Sequence, residues 1–221
     1  MDDLAFTAGA GGSIASTTSG KGQRTRERLL DAAYDAILKK GFGGTSIEEL
    51  VEVTGITKSG FFYHFRDKGD LARQLLTRFL EEDDSVMDEL TALAEQGADD
   101  PMQRFLVFLD QYAEMMDNME ELHPGCLVAA ILYQEQAYDH ELRGILQDAT
   151  LRWRERFRRW FQAIELDYQP IVPIDLDTIS DSFSALVEGA IVLSRALKDK
   201  QILGRQVRLF RQMVKTIYGV V

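Results

Sequence analysis

Apolar positions recur every three or four residues along most of this chain, the period of amphipathic helices. Leu30, Ala33, Tyr34, Ile37 and Leu38 form the stripe of a first helix, which opens at the basic residues Lys21, Arg24, Arg26 and Arg28 and runs to Lys40. Gly41 is placed to end it, with Phe42 packing back on Ile37. Ile47, Leu50 and Val51 share the face of a short second helix, capped by Ser46 with Glu49 three residues on, and Gly55 provides its exit. Ile56 plugs the angle to a third helix, capped by Thr57, which keeps Phe61 and Phe65 for the core. Asp67 caps a fourth helix, with Asp70 in its first turn. Its stripe of Leu71, Leu75, Leu76, Phe79 and Leu80 is interrupted by the acids at 81–84 and resumes at Val86, Leu90 and Leu93. That acid run reads as a solvated face, and without a histidine or a defined carboxylate cage it predicts no metal site.

Beyond a loop at 97–101, residues 102–121 form a helix apolar on more than one side, the mark of a central element. His123-Pro124-Gly125 breaks the chain before a short apolar helix over 126–133. Residues 139–164 follow as a long helix with Leu142, Leu146, Ala149, Trp153, Phe157, Trp160 and Ile164 on its buried side. Five arginines (Arg152, Arg154, Arg156, Arg158 and Arg159) crowd its other side. The pairs Asp148/Arg152 and Glu155/Arg159 make solvated or intramolecular charge the expectation there, rather than a second nucleic-acid face. Two last helices are expected at about 175–198 and 203–218. The expected fold is therefore all-α: a flexible tail over 1–20, a three-helix domain over 21–68, and a larger helical domain over 69–221.

Helix, short glycine turn, helix over residues 45–68 is the geometry of a DNA-reading helix-turn-helix. The stretch resembles the DNA-binding domain of the tetracycline-repressor (TetR/AcrR) family. The likeness rests on Lys40-Gly41-Phe42, Thr45-Ser46, Gly55-Ile56-Thr57-Lys58, the Phe61 and Phe65 pair, and Lys68. The family usually has Tyr where this chain has Phe62, so a phosphate contact made by that hydroxyl must move, for example to Tyr63, or be lost. What the resemblance implies is contact with a double-stranded operator through Arg24, Thr45, Ser46, Thr57, Lys58, Ser59, Gly60, Phe62, Tyr63, His64 and Lys68. Arg26 and Arg28 are read instead as solvated helix surface.

The resemblance also implies a small-molecule effector bound among the middle helices. The candidates to line its pocket are Phe105, Phe108, Tyr112, Met116, Cys126, Tyr133, Trp153, Phe157, Phe183 and Glu188, a set that favours an apolar or aromatic molecule. Glu188 could equally pair with an Arg across a dimer. The last two helices carry two apolar faces each and need two partners. With the resemblance, they point to a homodimer through Phe183, Leu186, Ala190, Leu193, Val207, Phe210, Val214 and Ile217, with Val187, Ile191 and Val192, or Leu209 and Met213, extending apolar surface to a second face.

A formal net charge of −11 looks wrong for a protein that binds DNA. The acids, however, are concentrated: residues 71–123 hold fourteen against three bases, whereas residues 21–70 hold nine bases against eight acids. Screening over about 8–10 Å confines the effect of the distant acids, so local charge decides attraction to phosphate. One cysteine, Cys126, leaves no disulfide framework and fits a reducing cytoplasm. Asp2 and Asp3 replace the basic start of a signal peptide, and no apolar run approaches the ~18 residues of a membrane span. The three histidines are scattered, Cys126 has no partner histidine at a suggestive spacing, and no glycine-rich loop follows a strand, so neither an enzyme nor a cofactor is expected. The leading expectation is a ligand-released repressor. A redox-responsive regulator acting through Cys126 and a helical interaction protein with no DNA role are the alternatives.

Overall fold

The structure, a computed structural model, describes residues 20–134 and 140–220. Among the described residues there are nine helices and no strand, in the order α1 Lys21–Gly44, α2 Ile47–Thr54, α3 Lys58–His64, α4 Lys68–Gly97, α5 Pro101–Asp117, α6 Leu127–Leu132, α7 His140–Ile164, α8 Leu176–Leu197 and α9 Ile202–Ile217. The all-α expectation holds. The tail expected over 1–20 lies outside the described residues except for Gly20, the residue before α1.

Gly41 interrupts α1 rather than ending it. Its φ of 81° and ψ of 164° belong to a region that only glycine adopts readily, and one more helical turn follows it. Phe42 in that turn is buried, and the carboxamide of Gln134 occupies the space a Cβ on Gly41 would need.

The described chain divides into two compact units. One comprises residues 20–82 with 124–134 and 140–148; the other comprises residues 83–123 with 149–220. In the first, α6 and α2 pack on α1, and α3 packs on α2. Its core is Leu29, Leu30, Ala33, Ile37, Leu50, Phe61, Phe65, Leu71, Leu75 and Leu76, the apolar stripes of four helices. Two arginines expected on solvated surface, Arg28 exposed and Arg26 half-buried, also make contacts within this unit. Arg28 donates to the carbonyl of Thr54 at the end of α2, and Arg26 donates to Gln74 Oε1 at 2.8 Å with its guanidinium 6.0 Å from the Phe65 ring centroid. Neither contact is written in local sequence, because each joins positions far apart in the chain.

In the second unit, α9 packs against both α5 and α8. Asp100 caps α5 by accepting from Gln103 N–H at 2.8 Å, and Asp175 caps α8 by accepting from Thr178 N–H at 2.8 Å. The α7 arginines are spent inside the molecule. Arg156 meets Asp84 at 3.0 Å and Asp88 at 2.6 Å, Arg152 meets Asp84 at 3.1 Å, Arg154 meets Asp181 at 2.6 Å, and Arg159 makes the expected pair with Glu155 at 3.1 Å. The acid run on α4 is correspondingly not all solvated. Asp83 is partly buried and accepts the Trp153 indole N–H at 2.9 Å. Loss of water around that carboxylate is the main reason its pKa rises to about 6.

Candidate nucleic-acid interface

The turn between α2 and α3 is built from caps. Ser46 Oγ accepts from Glu49 N–H at 3.2 Å at the start of α2, and Gly55, with φ 66°, turns its end. Thr57 Oγ1 accepts from Gly60 N–H at 3.1 Å and so starts α3. Phe61 and Phe65, their rings 5.5 Å apart, bury the inner side of α3. Gly60 is required by the packing of this turn: a Cβ there would lie 2.8 Å from Ile56 Cγ2 and 3.3 Å from Thr57 Oγ1.

The outer side of α3 exposes Lys58, Ser59, Phe62 and Tyr63, with Tyr63 82% and Phe62 48% accessible. His64 is half-buried, its ring edge-on to Tyr63 at 5.0 Å. Ser46 and Thr57 are exposed beside this face, and Arg24 is exposed on α1. Two of the predicted contact residues are engaged within the chain. Thr45 is buried and donates its hydroxyl to the Gly41 carbonyl at 3.0 Å, which takes its side chain off the exposed face. Lys68 donates to the Thr45 carbonyl at 2.7 Å and lies 4.4 Å from the centroid of the Phe42 ring, tying the start of α4 to the turn before α2. Burial lowers its pKa.

Glu48 is a member of this surface that sequence patterning missed. Its carboxylate accepts from the Lys58 ammonium at 2.7 Å, and both side chains are largely exposed. The hydrogen bond to Lys58 holds the Glu48 carboxyl below the usual range. On the same helix, Glu49 accepts from Lys40.

The predicted effector residues divide between the two units. Phe105, Phe108, Tyr112, Phe157 and Phe183 form one buried ring cluster, joined by Trp160 and Phe161. Phe157 and Phe183 are in contact, 4.2 Å between centroids. Trp153 stacks on Phe157 at 5.7 Å, and Met116 and the partly buried Glu188 belong to the same unit. Cys126 and the exposed Tyr133 belong to the other unit, where α6 lies on α1.

The predicted dimer set divides by burial within the single chain, where Leu193 is exposed. Phe183, Ala190, Val207, Phe210 and Val214 are buried within the single chain, where the rings of Phe183 and Phe210 meet at 5.2 Å. Leu186 and Ile217 are half-buried. The apolar positions left open on α8 and α9 are Val192, Leu193, Leu197, Leu209 and Met213, with small exposed residues Ala185, Gly189 and Ala196 alongside. The three-four alternation shows both faces of each helix, but it does not say which face the chain itself covers.

Among the described residues, no group of three or more His, Cys, Asp or Glu side chains could hold a metal ion, and no helix is long and apolar enough to cross a membrane.

Comparison with known proteins agrees with this architecture. Residues 29–75 match the bacterial regulatory proteins of the tetR family, and residues 101–210 match the tetracyclin repressor-like C-terminal domain. The chain is 21% identical over 169 residues to the transcriptional regulator AcuR of Cereibacter sphaeroides, covering 76% of this chain and 75% of that protein. It is 21% identical over 182 residues to the HTH-type transcriptional repressor DhaR of a Mycobacterium species, covering 80% of this chain and 86% of that protein. A TetR-family transcriptional regulator from Agrobacterium tumefaciens has a crystal structure that superposes with a TM-score of 0.72 at 18% identity, over 87% of this chain and 98% of that one. These relatives are regulators, not enzymes, and the match takes in both the capped α2–α3 turn and the α5–α9 body: the chain belongs to the TetR family of DNA-binding transcriptional regulators.

Proposed function

We propose that this chain acts in the cytoplasm as a homodimeric repressor, released from a near-palindromic operator by a small apolar or aromatic effector. Residues 21–68 read the DNA, and residues 69–221 bind the effector and form the dimer. The observation that carries this reading is the open apolar stripe of α8 and α9. Val192, Leu193, Leu197, Leu209 and Met213 sit beside small residues that permit close helix approach, so a two-fold four-helix bundle would cover what one chain leaves bare. Two copies would present two α3 helices to successive major grooves. The repressor assignment draws on DhaR, which is named as one. The effector would act at the ring-lined unit. Because α4 contributes to both units, an effector that prefers one position of α4 would change DNA affinity.

The test is a pair of variants, Leu193→Asp and Leu209→Asp, assayed by sedimentation and by binding to a duplex that the full chain selects from a randomised library. The expected result is a helical monomer with operator affinity at least ~100-fold weaker, because half-sites are no longer joined. Wild-type protein that sediments as a monomer at micromolar concentration would remove the dimer reading.

A further inference from the structure

The surface expected to meet DNA carries acid close to its one α3 lysine, and this pairing has a consequence for DNA affinity. Lys58 is the first residue of α3, and its ammonium is held by Glu48 at 2.7 Å. The partners lie on different helices of the helix-turn-helix, and the side chains are 60% and 68% exposed, so water and a competing anion can reach both. Such a pair is weak and exchangeable. A DNA phosphate, one of a dense array of negative charges, is a stronger partner than one carboxylate. Binding must nevertheless part Lys58 from Glu48 first, and it leaves Glu48 as an uncompensated charge near the duplex.

We propose that Glu48 is an affinity-setting residue for DNA: it holds Lys58 in the free protein and surrenders it to a DNA phosphate on binding. Glu48 thereby lowers affinity for every duplex, and only a site that supplies enough other contacts offsets the exchange. The inference rests on the reading of α3 as the DNA-contacting helix. It adds that the α3 cation is not freely available and that the residue limiting it lies on α2.

The experiment measures binding of the full-length protein to the selected duplex by fluorescence anisotropy between about 50 and 200 mM salt. The set comprises wild type, Glu48→Gln, Lys58→Met, the double variant and Glu52→Gln. Glu48→Gln keeps the side-chain shape and removes the charge, which weakens the hold on Lys58 to that of a neutral acceptor. It is expected to tighten binding about two- to five-fold, the scale of an exposed ion pair. It should also steepen the dependence of log affinity on log salt, by no more than the ~0.9 of one phosphate contact. Lys58→Met should weaken binding and flatten that dependence. In the Lys58→Met background the gain from Glu48→Gln should vanish, because there is no cation left to release. A gain of the same size in that background would mean that Glu48 acts only by repelling DNA, and would overturn the proposal. So would a Glu52→Gln gain matching that of Glu48→Gln, since Glu52 is an exposed acid of the same helix. If Lys58→Met leaves both affinity and salt dependence unchanged, the placement of α3 on DNA fails, an outcome distinct from failure of the Glu48 exchange alone.

Discussion

Around α2 and α3, position is fixed by hydrogen bonds to individual atoms: Ser46 to Glu49 N–H, Thr57 to Gly60 N–H, Lys68 to the Thr45 carbonyl. Around α5, α7, α8 and α9, position is fixed by ring against ring, with Phe157, Tyr112 and Phe210 all packed on Phe183 at 4.2–5.4 Å. The first arrangement keeps an outer face bare, with Phe61 and Phe65 anchoring the inner side of α3. The second buries large apolar area, and the penalty for damaging it is correspondingly large. The two regions should therefore respond to substitution on different scales and in different observables.

The largest effect is expected from Phe183→Ala. Phe183 is fully buried and touches three other rings, and removing such a side chain costs about 3–5 kcal/mol through lost burial and the cavity left behind. Urea denaturation followed by tryptophan fluorescence reports it, since Trp153 and Trp160 both lie in the same ring cluster. A loss below about 1 kcal/mol would mean that the cluster is loosely packed, and would undo the contrast between the two regions.

The fold class was legible because helical periodicity and capping are local. Ser46, Gly55, Thr57 and Asp67 sit at fixed offsets from apolar stripes, and each does in the structure what its position announces. What was not legible depends on distance across the fold. Thr45 matches the family pattern yet points inward, because its hydroxyl is taken by a carbonyl four residues back at a glycine kink. Phe210 and Val214 stand on an apolar face that could have met a partner chain, but α5 and α8 cover it first. Glu48 is a first-turn acid of α2 that no sequence pattern singles out, and only the folded turn brings Lys58 to it. Asp83 looked like one of four solvated acids until α7 placed an indole N–H against it.

That last residue gives the intermediate prediction. Folding raises the Asp83 pKa to about 6 from an ordinary value of 3.8, so the folded state binds this proton more tightly than the unfolded chain does. The stabilising contribution of this carboxyl is complete below about pH 4 and is lost as pH rises through about 6. Asp83→Asn keeps an oxygen for the Trp153 N–H and carries no charge. It is expected to match wild type near pH 4 and to be more stable by up to about 2–3 kcal/mol at pH 7, with the difference opening between those values. Denaturation midpoints of both proteins across pH 4 to 7.5 measure it. A constant difference between the two at every pH would show that the carboxyl titrates normally.

The smallest expected effect falls on the capped region and tests its independence from the ring-packed one. Thr57→Ala deletes the oxygen that receives the Gly60 N–H, a change worth about 1 kcal/mol at a helix start. α3 has only seven residues, too few to sustain a helix without its cap and its packing. The loss should therefore appear as local opening of α3 rather than as earlier global unfolding. Amide exchange at Gly60 should accelerate about five-fold while the urea midpoint reported by Trp153 and Trp160 stays put. If α3 contacts DNA as proposed, affinity for the selected duplex should fall by a similar factor, because the helix must first be reordered. Thr57→Ser, which retains a capping hydroxyl, should restore both. If the tryptophan midpoint falls in step with Gly60 protection, the capped turn and the ring cluster unfold as one, and the distinction between the regions is one of chemistry alone and not of stability.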